Sequence, residues 1–353
     1  MKRTIMTLMS AVTVLAVCAS TPLTEKYAPR LTTPRMYEAF RTTVKIKIDG
    51  RLNEGDWAKA RQSEPFTDIR GAGYPEPVKD TYVKMMWDDE NLYIGARLQE
   101  DNIIAKLSQR DTIIYHDNDF EVFLDPDGDA QNYFEIENNA RGVVFDLLLD
   151  KPYRSGGSFF VPWNCEGLQL AVSHDGTLNK PGDKDRAWYV EMAIPFDALR
   201  RDFTDPRSLK VWRINFSRVQ WLVPGQPEEN WVWSPTGKVD MHMPERWGFL
   251  HFADAPVGSA AAAADYNIDM DAYRLLWSLF YEQQERKSQN QEYFHGIGLS
   301  AADMALLPAG GEISVDACNS AFEIAITVPS RNEIYSVNHD GKFRITPITH
   351  SKK

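Results

Sequence analysis

Asp119-Phe120-Glu121-Val122-Phe123-Leu124-Asp125 runs through the turn Asp125-Pro126-Asp127-Gly128-Asp129 into Asn132-Tyr133-Phe134-Glu135-Ile136-Glu137. Successive side chains of a strand point to opposite faces, so the first run sets Phe120, Val122 and Leu124 against Asp119, Glu121 and Phe123. The second sets Phe134 and Ile136 against Tyr133, Glu135 and Glu137. Two alternating runs joined by a Pro/Asp/Gly turn read as a β-hairpin.

The pattern repeats along the chain. Thr81 to Trp87 and Leu92 to Leu98 form a second hairpin around Asp88-Asp89-Glu90-Asn91. Further strands are expected at 143–149, 168–173, 187–194, 211–219, 231–233 and 248–252, with one short helix over 195–200. Many strands with few helices between them predict an all-β fold, an antiparallel β-sandwich of immunoglobulin or jelly-roll type. Regular structure is expected to begin with the alternating Val44-Lys45-Ile46-Lys47-Ile48. The turn Asp49-Gly50 follows, then a capped helical turn that inserts Trp57 into the core.

The flanks differ in character. Lys2 and Arg3 before an apolar stretch to Val17 predict a signal peptide over 1–20 and an exported protein, in the periplasm, outer membrane or at the cell surface. Leu15-Ala16-Val17-Cys18 resembles a bacterial lipobox, making Cys18 a candidate lipidation site and the one expected membrane contact; cleavage near Ala19 or Ser20 is the rival. Residues 21–43 read as a tether, 44–252 as the sandwich and 253–264, rich in small residues, as a linker. Residues 265–353 read as a small α+β appendage, with an amphipathic helix over Met270 to Arg286 and strands between Glu312 and Ile345.

The 353 residues carry a formal charge of −11 and ten Trp. With no Lys/Arg cluster to neutralise phosphates, nucleic acid is not an expected partner. Beyond Cys18 only Cys165 and Cys318 remain, and without a CxxC a structural zinc site is not expected. Two separately buried thiols are expected rather than a disulfide.

The order of Trp87-Asp-Asp-Glu-Asn-Leu-Tyr-Ile94, Asn118-Asp-Phe-Glu-Val-Phe123 and Tyr189-Val-Glu-Met-Ala-Ile-Pro195 resembles the family 9 carbohydrate-binding modules, from about Ile48 to Phe252. The resemblance implies a sandwich that takes the end of a sugar chain between two aromatic rings, with structural calcium and no organic cofactor. It places Tyr115 at one clamp position and Glu121 at a sugar-bonding acid. The family's sugar-bonding Arg falls at Glu135, a reversal of charge, and its second clamp ring falls near Met241.

The residues themselves offer substitutes. Alternation puts Arg213, Asn215, Ser217 and Trp221 on one face, a set with the donors, acceptors and aromatic plate that a sugar needs. Trp231 and Trp233 could add plates, although packing in the core is the plainer role for most Trp. Asp125, Asp127 and Asp129 suit a hard cation such as calcium. Ile136 stands where an EF-hand loop would need Glu, and an acidic hairpin turn is the equal alternative; Asp88, Asp89 and Glu90 carry the same idea with less support.

Non-catalytic binding of an oligo- or polysaccharide, in the service of polysaccharide breakdown, is the leading expectation. A glycoside hydrolase using Glu121, Glu135 and Glu137 is the second, weakened if those acids pair with Arg141 or Arg213. A haem-binding electron-transfer sandwich ligated from Met241, His242 and Met243 is the third, weakened because neighbours on one strand point oppositely.

Overall fold

The computed structural model describes residues 21–201, 204–261, 265–296 and 298–349. The signal segment and Cys18 lie outside the described residues. The chain divides into two compact units, Thr32–Asn267 and a second formed by the residues through Leu31 together with Ile268–Lys353.

The larger unit is strand-built. Its first four strands are β1 (Met36–Arg41), β2 (Thr67–Asp68), β3 (Thr81–Trp87) and β4 (Asn91–Gln99). The central hairpin supplies β5 (Asp119–Asp125) and β6 (Tyr133–Asn139), followed by β7 (Val144–Leu149) and β8 (Phe159–Phe160). Then come β9 (Gln169–Asp175), β10 (Ala187–Pro195), β11 (Val211–Gln220), β12 (Glu229–Val232) and β13 (Gly248–Pro256). They join edge to edge in the order β8-β7-β6-β5-β11-β13-β1-β3-β4-β10-β9, with β12 beside β11 and β2 beside β12. This sheet bends over on itself, so its two halves become the layers of a sandwich.

The alternation in the sequence explains the core. Phe120, Val122, Leu124, Phe134, Ile136, Ile214 and Phe216 from one layer pack in one cluster with Val83, Met85, Ile94, Ala96, Val190 and Met192 from the other. Trp212, Trp231 and Trp233 belong to this core and are not free plates. Gly95 is required by close approach: a Cβ there would lie 2.7 Å from Leu52 Cδ2 and 3.1 Å from the Trp57 ring. Trp57 is buried from a short helix, α2 in chain order after α1 (Leu23–Lys26), spanning Gly55–Lys59. Its indole N–H donates to Glu191 Oε1 at 2.8 Å. The expected side-chain cap of that turn is not formed; Glu54 instead accepts the Lys47 amide.

Several expectations are corrected. Residues 21–43 are not a tether. Leu23–Lys26 and the residues to Leu31 belong to the smaller unit, and Met36–Arg41 is a central strand paired in parallel with both β13 and β3. The sheet is therefore not purely antiparallel. The signal was weak because Pro34 precedes a strand carrying Glu38 and Ala39, residues of low strand preference. Its hold on the sheet comes from Tyr37, whose hydroxyl accepts the Met85 amide at 2.9 Å. Residues 44–48 do not form a strand: Ile46 is buried, but the segment pairs with no neighbour among the described residues. Strand β13 runs to Pro256, four residues into the expected linker.

The smaller unit is an antiparallel meander of β14 (Ile313–Ala317), β15 (Phe322–Val328), β16 (Glu333–Asn338) and β17 (Phe343–Pro347). Helix α3 (Met270–Ser288), capped by Asp269, lays Tyr273, Trp277 and Phe280 against Phe322 and Phe343. Asp303 of α4 (Ala301–Met304) accepts the amides of Leu23 and Thr24, tying the N-terminal segment in. Cys165 is buried and free; Cys318 is free and exposed, contrary to the expectation that both are buried.

Candidate functional site

The polar face of the central hairpin is the floor of an open cleft of about 550 Å³. Glu121 and Phe123 come from β5, Glu135 and Glu137 from β6, and Phe145 and Leu147 from β7. Strand periodicity puts them on one side, and the opposite side is occupied by the core. The walls are loops. Tyr115 stands in the turn Ile114–His116, Tyr153 in the turn Tyr153–Ser155, and Phe159 in β8; all three are exposed.

The walls are held by specific bonds. The Trp221 indole donates to the Tyr115 carbonyl at 2.8 Å, and its amide donates to Asn118 Oδ1 at 2.8 Å. On the far side Tyr153 meets His242 edge-on with ring centres 4.4 Å apart. Arg154 donates to the His242 carbonyl and to Glu245, and His242 Nδ1 lies 3.1 Å from the Tyr133 hydroxyl. Burial pushes the His242 imidazole down to about 4, so it is neutral at pH 7.

The floor is dense in acid. Asp119, Glu121, Glu135 and Glu137 share one face, and Glu121 and Glu137 are direct cross-strand partners. Burial pushes Glu121 up to about 7. Burial, then the charge of neighbouring acids, holds Asp119, Glu135 and Glu137 well above the usual carboxylate range. No Lys or Arg stands among the described residues lining the cleft.

The family model for carbohydrate family 9 binding domain-like proteins matches residues 48–250. The chain belongs to this family. Two curated relatives, Exoglucanase XynX of Acetivibrio thermocellus and Endo-1,4-beta-xylanase A of Thermoanaerobacterium saccharolyticum, are each 28% identical over 152 residues, which is 43% of this chain. The match spans only 12% and 11% of those proteins. Among solved structures, a family 9 carbohydrate-binding module from Caldicellulosiruptor kristjanssonii in complex with cellotriose aligns with a TM-score of 0.42 and 12% identity, over 65% of this chain and all of that one.

In this family 9 domain Tyr115, Glu121 and Glu135 come together in the cleft, with Met241 beside them at the position that the resemblance gives to the second ring. Met241 is largely buried against Phe123 and Trp247, so it offers no plate. Tyr153 and Phe159 supply aromatic surface on that side. The sequence reading missed both, though aromatics flanking Gly156-Gly157 in a turn were a usable signal. Arg213 and Asn215 are corrected. They share the face of Phe123 and Asp125 in register, but the segment from Trp233 to Phe249 covers them. Arg213 donates to the Trp247 carbonyl and lies over Phe249; Asn215 bonds the backbone of Ser234. Trp221 follows the end of β11 and supports Tyr115 without lining the cleft.

Met241 to Met243 form a loop before the turn Pro244–Arg246 and not a strand, with both Met buried and His242 turned to the cleft. The Asp125–Asp129 turn brings one oxygen from each of Asp125, Asp127 and Asp129 within 4.8 Å of the others. Asp125 is buried and accepts the amides of Gly128 and Ala130, so it also shapes the turn.

Proposed function

We propose that this chain binds the end of an oligo- or polysaccharide in the cleft without cleaving it, and that it serves polysaccharide breakdown at the cell envelope after export. The observation that carries the reading is the cleft itself: exposed rings of Tyr115, Tyr153 and Phe159 around a floor of Glu121, Glu135 and Glu137, in a family 9 domain. Rings cover the apolar face of a sugar while carboxylates accept its hydroxyls, and the charge of those acceptors strengthens the bonds. Hydrolysis would need two carboxyls set on either side of a scissile bond. Glu121 and Glu137 sit side by side on one floor, which favours binding. A glycan array with the chain lacking residues 1–20, followed by calorimetry on the best ligand and a hydrolysis assay on it, is the test. Product release would overturn the non-catalytic part, and an array without hits would overturn the whole.

Two accessory features complete the proposal. The Asp125, Asp127 and Asp129 turn takes structural calcium. The segment before Cys18 directs export, with Cys18 as lipid anchor; Cys18→Ser then releases the protein from membranes.

A further inference from the structure

Asp119, Glu121 and Glu137 each place one carboxylate oxygen within 4.8 Å of the oxygens of the other two. These are not surface acids. Asp119 has no exposed area, Glu121 is 6% exposed and Glu137 4% exposed. Buried carboxylates ordinarily find donors, because a charged group stripped of water and left without a partner is costly. Here Asp119 Oδ1 accepts the Val219 amide at 2.9 Å, but Asp119 Oδ2 has no hydrogen-bond partner, and neither has Glu137 Oε2. Glu137 and Glu121 line the cleft, so the open side of the cluster is the side a ligand would approach.

We propose that Asp119, Glu121 and Glu137 bind a divalent cation of the hard, oxygen-preferring class, with calcium as the first candidate, whose remaining coordination positions face the cleft. The geometry suits it. Calcium takes oxygens at about 2.3–2.6 Å, so two of its ligands stand at most about 5 Å apart. Three carboxylates leave several of its six to eight positions for water or for hydroxyls of a bound saccharide. This last step rests on the saccharide reading; the cation site itself does not. The turn at Asp125–Asp129 is a separate cluster, on different residues at the other end of β5.

The test uses the chain lacking residues 1–20 in an Asp127→Asn background, which disables the turn cluster. Calorimetric titration with calcium chloride is expected to give one site, and adding Glu137→Gln is expected to weaken it at least tenfold. Melting in chelator shows that the doubly substituted chain is folded. No calcium binding in the background, or unchanged binding after Glu137→Gln, would overturn the site. In a second arm the best array glycan is titrated in calcium and in chelator. At least tenfold weaker binding in chelator supports a cation that contacts the sugar. Equal affinity in both overturns that contact and leaves the saccharide reading standing, whereas calcium binding with no glycan hit supports the cation site and removes the saccharide reading alone.

Discussion

Glu121 and Glu137 face each other as direct cross-strand partners on the buried floor between β5 and β6. Like charges opposite one another on a sheet are destabilising, and burial adds to the cost of ionising either. The pair therefore prefers to hold protons, or a cation, over standing as two bare carboxylates.

A pH signature follows from its sign. Burial lifts Glu121 to about 7, above its unfolded value of about 4.3. Its favourable contribution is complete below the unfolded value and is lost as pH rises through about 7. Glu121→Gln is fixed in the neutral form. In chelator it should be more stable than wild type at pH 8, by up to roughly 4 kcal/mol, with the gap narrowing steadily towards pH 5. His242 works in the opposite sense as pH falls below its unfolded value, but it is present in both proteins and cancels from the difference. A gap that does not change with pH would show that Glu121 is not ionising under strain.

Tyr115→Ala and Tyr153→Ala should each weaken saccharide binding about tenfold, since a ring covering about 60 Å² of apolar sugar surface contributes roughly 1.5 kcal/mol. Trp221→Ala should weaken it too, by freeing the Tyr115 carbonyl and not by losing a plate. Calorimetry with unchanged melting curves is the expected result. Asn215→Ala should instead lower the melting temperature, because the Ser234 backbone groups it satisfies are buried.

Arg218 is fully buried and donates to Gln220, Thr81, the Gln99 carbonyl and Glu100. Removing one partner of a buried ion pair typically costs about 3–5 kcal/mol. Arg218→Met should lose about that much in denaturant unfolding. A loss below 1 kcal/mol would mean that Lys79, which also donates to Glu100 at 2.6 Å, carries the charge by itself.

Calcium at the Asp125–Asp129 turn should stabilise the fold by mass action, by about 2.7 kcal/mol at a hundredfold excess over the dissociation constant, and so raise the melting temperature. Glu137→Gln provides the background that isolates this turn. Asp127→Asn in that background should abolish the increase. Identical melting in calcium and chelator would leave the turn as a hydrogen-bonded loop.

The alternation of the chain by itself determined the hairpins, their inward and outward faces, the acidic floor and helix α3. Strand period is local, and a core that buries Phe120, Val122 and Leu124 must turn Glu121 the other way. It did not determine what covers the outward face. Arg213 and Asn215 share that face with Glu121, yet the segment carrying Ser234 and Trp247 closes over them and leaves Glu121 open. Nor could period reveal that Met36–Arg41 sits in the middle of the sheet, or that Tyr153, Phe159 and His242 gather at one cleft. Those placements depend on contacts between residues tens to hundreds of positions apart, such as Tyr37 with Met85 or Tyr133 with His242, and only the packed chain brings such pairs together.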